Sequence, residues 1–259
     1  MIVAWGTVSL GHLLPDVVGD RLRERSRQIA AVAVAVHLVT LIVSGLRTVS
    51  PGFPEAVSAV GLGVGIAYVY VARSGLRALG ILLAPLAMVS IGTSLVVPHR
   101  TVTALDHTGT SPWLPIHLGL MFAGTAGFAL SSVVGVMYLW ARSRLKQKKF
   151  QGMTRLPSLE VLDRIQFRAM LFGFVFLTLG IGAGGVWAAL SLQEAWEIDP
   201  KVWFTVLIWA WYAGALQVRL VAGRRGRWTA LFSIVGFGGM IFSLVGLNFL
   251  LGGWHAYGG

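Results

Sequence analysis

The histidines and tryptophans of this sequence are the residues that, by their types and spacing, could form a ligand-binding site. The chain has 6 histidines, 10 tryptophans and no cysteine among 259 residues. The lack of thiols excludes disulfides, thiolate metal sites and CxxC redox chemistry. Most of the histidines share segments with tryptophans; the segments rich in these residues are 99–117, 187–203 and 254–257.

The amino-acid composition indicates whether the helices that position these side chains lie in water or in lipid. Hydrophobic residues make up 56% of the chain and charged residues 12%, and the mean hydropathy is +0.75. A soluble domain carries about twice that charged fraction. The 33 glycines fit helices that pack closely within lipid. We therefore expect an all-α, polytopic integral membrane protein.

About eight segments are long and apolar enough to be transmembrane helices, each needing roughly 20 residues. No soluble domain fits between them, so residues 1–259 are predicted to form a single transmembrane domain. A cleaved signal peptide is not expected, because Met1–Leu14 has no basic start and no A-x-A site. The predicted spans are 2–18, 28–46, 55–72, 77–97, 115–141, 166–192, 202–222 and 229–251.

Basic residues give these spans an orientation. All but three of the 21 lysines and arginines fall in alternate connections, and the exceptions are Arg47, Arg100 and Lys201. Basic loops stay cytoplasmic, so both termini are predicted to lie on the outer side of a plasma (inner) membrane. The net charge of +11 is then explained by topology and by contact with the lipid bilayer, and no nucleic-acid partner is expected.

The orientation places the segments rich in histidine and tryptophan on one membrane face. Histidines that converge there could ligate haem iron axially, and tryptophans could line the flat porphyrin. An ordinary interfacial belt of aromatic residues is the alternative, and the residue types alone favour it. The outer-side residues of interest are His117, Trp187, Trp196, Asp199, Lys201 and His255.

Three motifs resemble a known family, the cytochrome c assembly proteins, which include the CcsA (ResC), CcmC, CcmF and HemX-type proteins. The run Gly185-Val-Trp-Ala188, followed by Trp196, Asp199-Pro-Lys201, Trp209 and Tyr212, resembles their tryptophan-rich "WWD" region. Trp113-Leu-Pro-Ile-His117 resembles the stretch around the first external histidine, and Asn248 to Gly258 resembles the closing segment. The likeness covers about residues 110–259, and residues 28–97 only by hydropathy.

The resemblance implies a haem-handling membrane protein of cytochrome c biogenesis. Such a protein binds or presents haem at the outer membrane face for attachment to apocytochrome c. In the family two external histidines hold the iron, and these correspond to His117 and His255, with haem b bound non-covalently. Trp187, Trp196, Asp199 and Lys201 would contact the cofactor. Implied partners are haem, apocytochrome c and a ResB-like subunit, as in a cytochrome c haem lyase (synthase) system; whether this chain is itself an enzyme stays open.

Four departures from the family pattern support an alternative. Ile198 stands at the second tryptophan of W-x-W-D, Leu192-Gln193 replaces an expected Trp-Gly, and Val202 replaces a glutamate. Gln217 stands where the family has an intramembrane histidine. The alternative is a HemX-type protein that modulates haem biosynthesis or homeostasis without ligating haem. His37, in mid-span, is interpreted as bonding a neighbouring helix, and His12 has no assigned role.

Overall fold

The computed structural model describes residues 2–13, 20–47, 53–73, 79–96, 111–148, 157–191 and 200–243. Within these ranges every regular element is helical, which agrees with the predicted all-α class. The eight helices are α1 (Ile2–Leu13), α2 (Asp20–Arg47), α3 (Phe53–Arg73), α4 (Gly80–Val96), α5 (Trp113–Lys146), α6 (Leu159–Ser191), α7 (Pro200–Leu220) and α8 (Arg227–Ile241).

Each predicted span overlaps one of these helices, and three helices are long and apolar enough to cross a membrane. These are Arg25–Val43 within α2, Trp113–Lys146 and Leu159–Leu190. Shorter apolar helices cover Val57–Ala72, Gly80–Ser94 and Arg227–Ile241. The chain is therefore an all-α membrane protein, whereas eight crossings and outward-facing termini stay predictions.

Three helices extend well beyond the apolar spans predicted for them. The helix α2 begins at Asp20 rather than near residue 28, α5 continues to Lys146, and α6 starts at Leu159. The extensions carry eight of the 18 basic residues that were assigned to the alternate connections, namely Arg21, Arg23, Arg25, Arg27, Arg142, Arg144, Lys146 and Arg164. Arginine, lysine and glutamate are good helix formers, so a helix continues into the polar region after its apolar part ends.

The first of two compact units comprises residues 1–99 and 136–162. Trp5 on α1 lies edge-on to Tyr68 on α3, with ring centroids 6.0 Å apart. A Cβ at Gly65 would lie 2.6 Å from a ring carbon of Trp5, so only glycine lets the indole approach α3 there. His37 Nε2 lies 2.8 Å from Ser58 Oγ on α3, which agrees with the interpretation of His37 as an interhelical contact.

The second unit comprises residues 100–135 and 163–259. Its core forms around Phe128 of α5 and Tyr212 of α7, whose rings stack 3.6 Å apart; Met170, Leu177 and Ile208 pack with them. The helices α5 and α6 approach closely, since a Cβ at Gly127 would lie 2.8 Å from the Gly173 nitrogen. Small residues at such contacts are a usual device for packing helices in membranes.

Candidate ligand site around His117

His117 is positioned in the second turn of α5, which begins at Trp113. Its Nδ1 lies 2.8 Å from the carbonyl oxygen of Gly180 on α6. Because a carbonyl only accepts hydrogen bonds, Nδ1 carries the proton and donates, which makes Nε2 the basic nitrogen of the neutral ring. A histidine that ligates a metal usually donates its other ring N–H to a carbonyl or a carboxylate in this way.

Two glycines on one face of α6 make room for side chains of α5, Gly184 for the imidazole of His117 and Gly180 for Met121. A Cβ at Gly184 would lie 2.7 Å from His117 Nδ1 and 2.8 Å from its Cε1, and a Cβ at Gly180 would lie 2.8 Å from Met121 Sδ. Residues 180 and 184 are one turn apart and therefore share a face. Gly182, two positions along, meets nothing within 4 Å. The Gly180 carbonyl and the bare backbone of Gly184 together form a cradle that holds the ring of His117.

Trp187 closes one side of the cradle. Its ring lies 6.4 Å from that of His117 at an interplanar angle of 20°, and it packs with Leu114, Leu118 and Ala188. The side chain is only 7% exposed, and among the described residues no atom accepts a hydrogen bond from its Nε1. A buried donor without an acceptor costs about 1–3 kcal/mol, so the indole N–H suits a ligand that brings an acceptor.

The other predicted site residues are placed in part. Lys201 is half-buried in the first turn of α7, and that helix starts at Pro200, two residues before the predicted span 202–222. Trp196, Asp199 and His255 lie outside the described residues. The structure thus brings together His117 and Trp187, and the rest of the predicted set stays a prediction.

Two further residues of the tryptophan-rich motif are used for packing. Trp209 Nε1 donates to Thr178 Oγ1 at 3.0 Å, and the Trp209 ring stacks on Phe174 at 5.7 Å. Tyr212 is buried against Phe128. These contacts join α7 to α6 and α5, and they hold in place the helices that carry the candidate site.

An ion pair near the opposite end of α6 was not predicted. Arg219 donates to both oxygens of Asp163 at 2.7 and 2.8 Å and to Thr229 Oγ1 at 2.9 Å. The Gly226 amide donates to Asp163 at 2.9 Å. Arg219 was counted with the basic loop residues, but its side chain is only 8% exposed. Its partner Asp163 lies 56 positions away in the sequence, so no local sequence pattern could predict the pair.

The charge network shifts the acidity of its carboxylate. Asp163 precedes the predicted span 166–192, and α6, about 50 Å long at 1.5 Å per residue, exceeds a hydrocarbon core of about 30 Å. Burial raises the pKa of the Asp163 carboxyl, but the hydrogen bonds from Arg219 and the Gly226 amide, with the charges of Arg219 and Arg225, outweigh that effect. The pKa lies below its usual value, so the ion pair persists at neutral pH.

A comparison with known proteins identifies the family to which this chain belongs. A sequence profile described as "Cytochrome C assembly protein" matches residues 51–255. The chain belongs to this family. The profile confirms the resemblance inferred from the three motifs and extends it into residues 51–110, where hydropathy was the sole likeness.

Curated relatives carry the name "Cytochrome c biogenesis protein CcsA". The protein of Prochlorococcus marinus (strain MIT 9515) is 29% identical over 168 residues, covering 57% of this chain and 54% of the relative. That of Guillardia theta is 28% identical over 205 residues, covering 72% and 68%. That of Chlamydomonas reinhardtii is 31% identical over 187 residues, covering 70% and 52%. The matches thus span about half to two thirds of the length of these relatives.

Proposed function

We propose that this member of the cytochrome c assembly family binds or presents haem at the outer membrane face, for attachment to apocytochrome c. The observation that carries the proposal is the setting of His117. Its Nδ1 donates to the Gly180 carbonyl, which directs the basic character to Nε2, while the buried Trp187 stacks beside it. Haem matches this pairing of imidazole and indole, because its ring is planar and largely apolar and its iron accepts a nitrogen ligand.

The residues present fit haem b on three grounds. The Gly184 cradle fixes an imidazole whose orientation a side chain at 184 would disturb. The Trp187 N–H is a buried donor that lacks an acceptor among the described residues. The chain has no cysteine, so haem would be held non-covalently. His255 would supply the second axial nitrogen, and Trp196, Asp199 and Lys201 would contact the porphyrin and its propionates, which are anionic groups suited to cationic partners.

The chain's own task would be to hold and orient. When bound, haem supplies the iron and the vinyl carbons of the attachment chemistry, and an apocytochrome supplies the thiols that this chain lacks. The charge distribution supports eight spans in the plasma membrane with both termini outside, which puts His117, Lys201 and His255 on one face. A ResB-like membrane subunit would complete the assembly.

Deletion and complementation in the source organism test this role. We expect loss of covalent haem in the cytochromes c on a haem-stained gel, restored by the wild-type chain and by Gly182→Ala but not by His117→Ala. The Gly182 variant is the matched control, because a Cβ there meets nothing. Normal holocytochromes together with altered porphyrin levels would overturn the proposal in favour of the HemX-type alternative. The residue that supports this alternative is the exposed Gln217, because glutamine is a poor iron ligand.

A further inference from the structure

Gln166 of α6 is a buried amide without partners in the interior of the second unit. Its side chain is 0% exposed, and among the described residues neither Nε2 nor Oε1 has a hydrogen-bond partner. A Cβ at Gly135 on α5 would lie 2.6 Å from Nε2, so the glycine makes room for the amide. Buried polar side chains are satisfied in most proteins by protein groups or ordered water.

Hydroxyl and thioether groups of three helices form a chain of contacts that starts at the backbone of Gln166. Ser131 Oγ on α5 donates to the backbone carbonyl of Gln166 at 3.0 Å and lies 2.8 Å from Ser233 Oγ on α8. Ser233 Oγ lies 3.8 Å from Met170 Sδ, one turn along α6 from Gln166. Both serines are buried, so the cluster is closed off from the surroundings of the helices.

Two neighbouring features show where the cluster of Gln166, Ser131 and Ser233 lies within the second unit. On one side the Tyr212 hydroxyl donates to the Ser233 carbonyl at 3.4 Å, and the Tyr212 ring stacks on Phe128. On the other side, three residues before Gln166, lies the Asp163–Arg219 pair. Gln166 and Gly180 are 14 positions apart on one helix, roughly 21 Å at 1.5 Å per residue, so the cluster is distinct from the site at His117.

We propose that Gln166, Ser131 and Ser233 form an internal water site that links α5, α6 and α8. The ligand must both donate and accept, because an amide offers one oxygen and one NH₂ group. It is uncharged, since the exposed Arg164 and Arg168, each two positions from Gln166, do not face it on the helix, and Asp163 pairs with Arg219 of α7. It is small, because Gly135 and Ala230 approach each other closely at this level of the unit. Water meets all three conditions, and a buried water typically makes about three hydrogen bonds to otherwise unsatisfied groups.

Radiolytic hydroxyl labelling of the purified wild-type protein tests the site without any mutation. Radicals form from bound water and oxidise an adjacent methionine to the sulfoxide. Met170 is 0% exposed and Met240, in the same core, is 7% exposed. Access from bulk solvent alone therefore predicts that Met240 oxidises faster, whereas the water site predicts that Met170 oxidises severalfold faster. Faster oxidation of Met240 would overturn the proposal.

Gln166→Leu gives an independent readout, the sign of a change in Tm. If the amide is satisfied by water, leucine removes hydrogen bonds and strands the water, and Tm falls by several degrees relative to the exposed control Gln28→Leu. If the amide is unsatisfied, leucine relieves its desolvation cost and Tm rises, which would contradict the proposal. The variant must also slow Met170 oxidation; an unchanged rate would equally refute a water held by Gln166. Neither readout involves haem, so the outcome is independent of the proposed function.

Discussion

The substitution Gly184→Ala should move the His117 ring while leaving the stability of the fold nearly unchanged. A Cβ at residue 184 would lie 2.7 Å from Nδ1 and 2.8 Å from Cε1 of the imidazole, whereas comfortable contacts between such atoms are near 3.5 Å. The ring must therefore move by roughly 0.7 Å. The atoms that yield belong to a side chain and not to a backbone, so the displacement costs the fold little but shifts Nδ1 away from the Gly180 carbonyl.

The expected loss is in ligand affinity. Changing the outer-shell partner of a metal-ligating histidine typically costs about 10-fold to 100-fold in affinity, and each tenfold loss corresponds to about 1.4 kcal/mol. We expect Gly184→Ala to weaken haem binding by about tenfold or more, measured by titrating haem into detergent-solubilised protein and following the Soret absorbance. The Tm of the ligand-free protein should stay within about 2 °C, because the roughly 1 kcal/mol that alanine gains in helix propensity offsets the weakening of one hydrogen bond worth about as much.

Gly182→Ala is the matched control on the same helix. A Cβ there meets nothing within 4 Å, and alanine is the better helix former by about 1 kcal/mol, so haem affinity should be unchanged and Tm unchanged or slightly higher. Equal affinities for Gly184→Ala and wild type would refute the reasoning. So would equal losses in the two variants, since the effect could not then come from contact with His117.

Two other changes test the packing and the charges. Gly127→Ala places its Cβ 2.8 Å from the Gly173 nitrogen, where only backbone can yield, so we expect about 1–3 kcal/mol of destabilisation, seen as a lower Tm. Gly119→Ala, which meets nothing within 4 Å, should leave Tm unchanged or slightly higher, because alanine is the better helix former. An equal fall in both variants would contradict the assignment of the effect to the contact with Gly173. Asp163→Asn leaves the buried Arg219 without its counter-charge and should lower the free energy of unfolding by about 3 kcal/mol at neutral pH. Because the folded pKa of Asp163 is depressed from 3.8, its contribution is present above pH 4 and lost as pH falls below that value. The difference in Tm between wild type and this variant should therefore shrink in acid, and a constant difference would contradict the assignment.

The sequence predicted the helical elements better than the contacts between them. Long apolar runs locate helices, because a membrane span needs a fixed length, and the eight predicted segments each overlap a helix. The distribution of basic residues predicted that His117 and Trp187 lie on the outer membrane face, which stays a prediction. The structure shows that their two rings stack. Hydropathy marks the apolar part of a helix, which is why the charged starts of α2 and α6 were assigned to loops.

The contacts that support His117 depend on which helix faces meet, and hydropathy says nothing about that. Gly184 is one of 33 glycines, and its closeness to the imidazole becomes visible only when α5 and α6 are packed. Arg219 was interpreted as a topological charge, but its partner lies on another helix. Gln166 stands at the start of a predicted span as an unremarkable polar residue; its burial comes from Gly135, which is distant in sequence.

The haem spectrum of purified His117 variants tests the central claim most directly. The account predicts that wild-type protein binds haem with a low-spin, bis-histidine Soret band, that His117→Ala loses it, and that added imidazole restores it by occupying the space of the missing ring. Rescue by imidazole distinguishes an axial ligand from a residue that merely packs against α6. A wild-type protein that binds no haem, or a His117→Ala variant with an unchanged spectrum, would contradict the account.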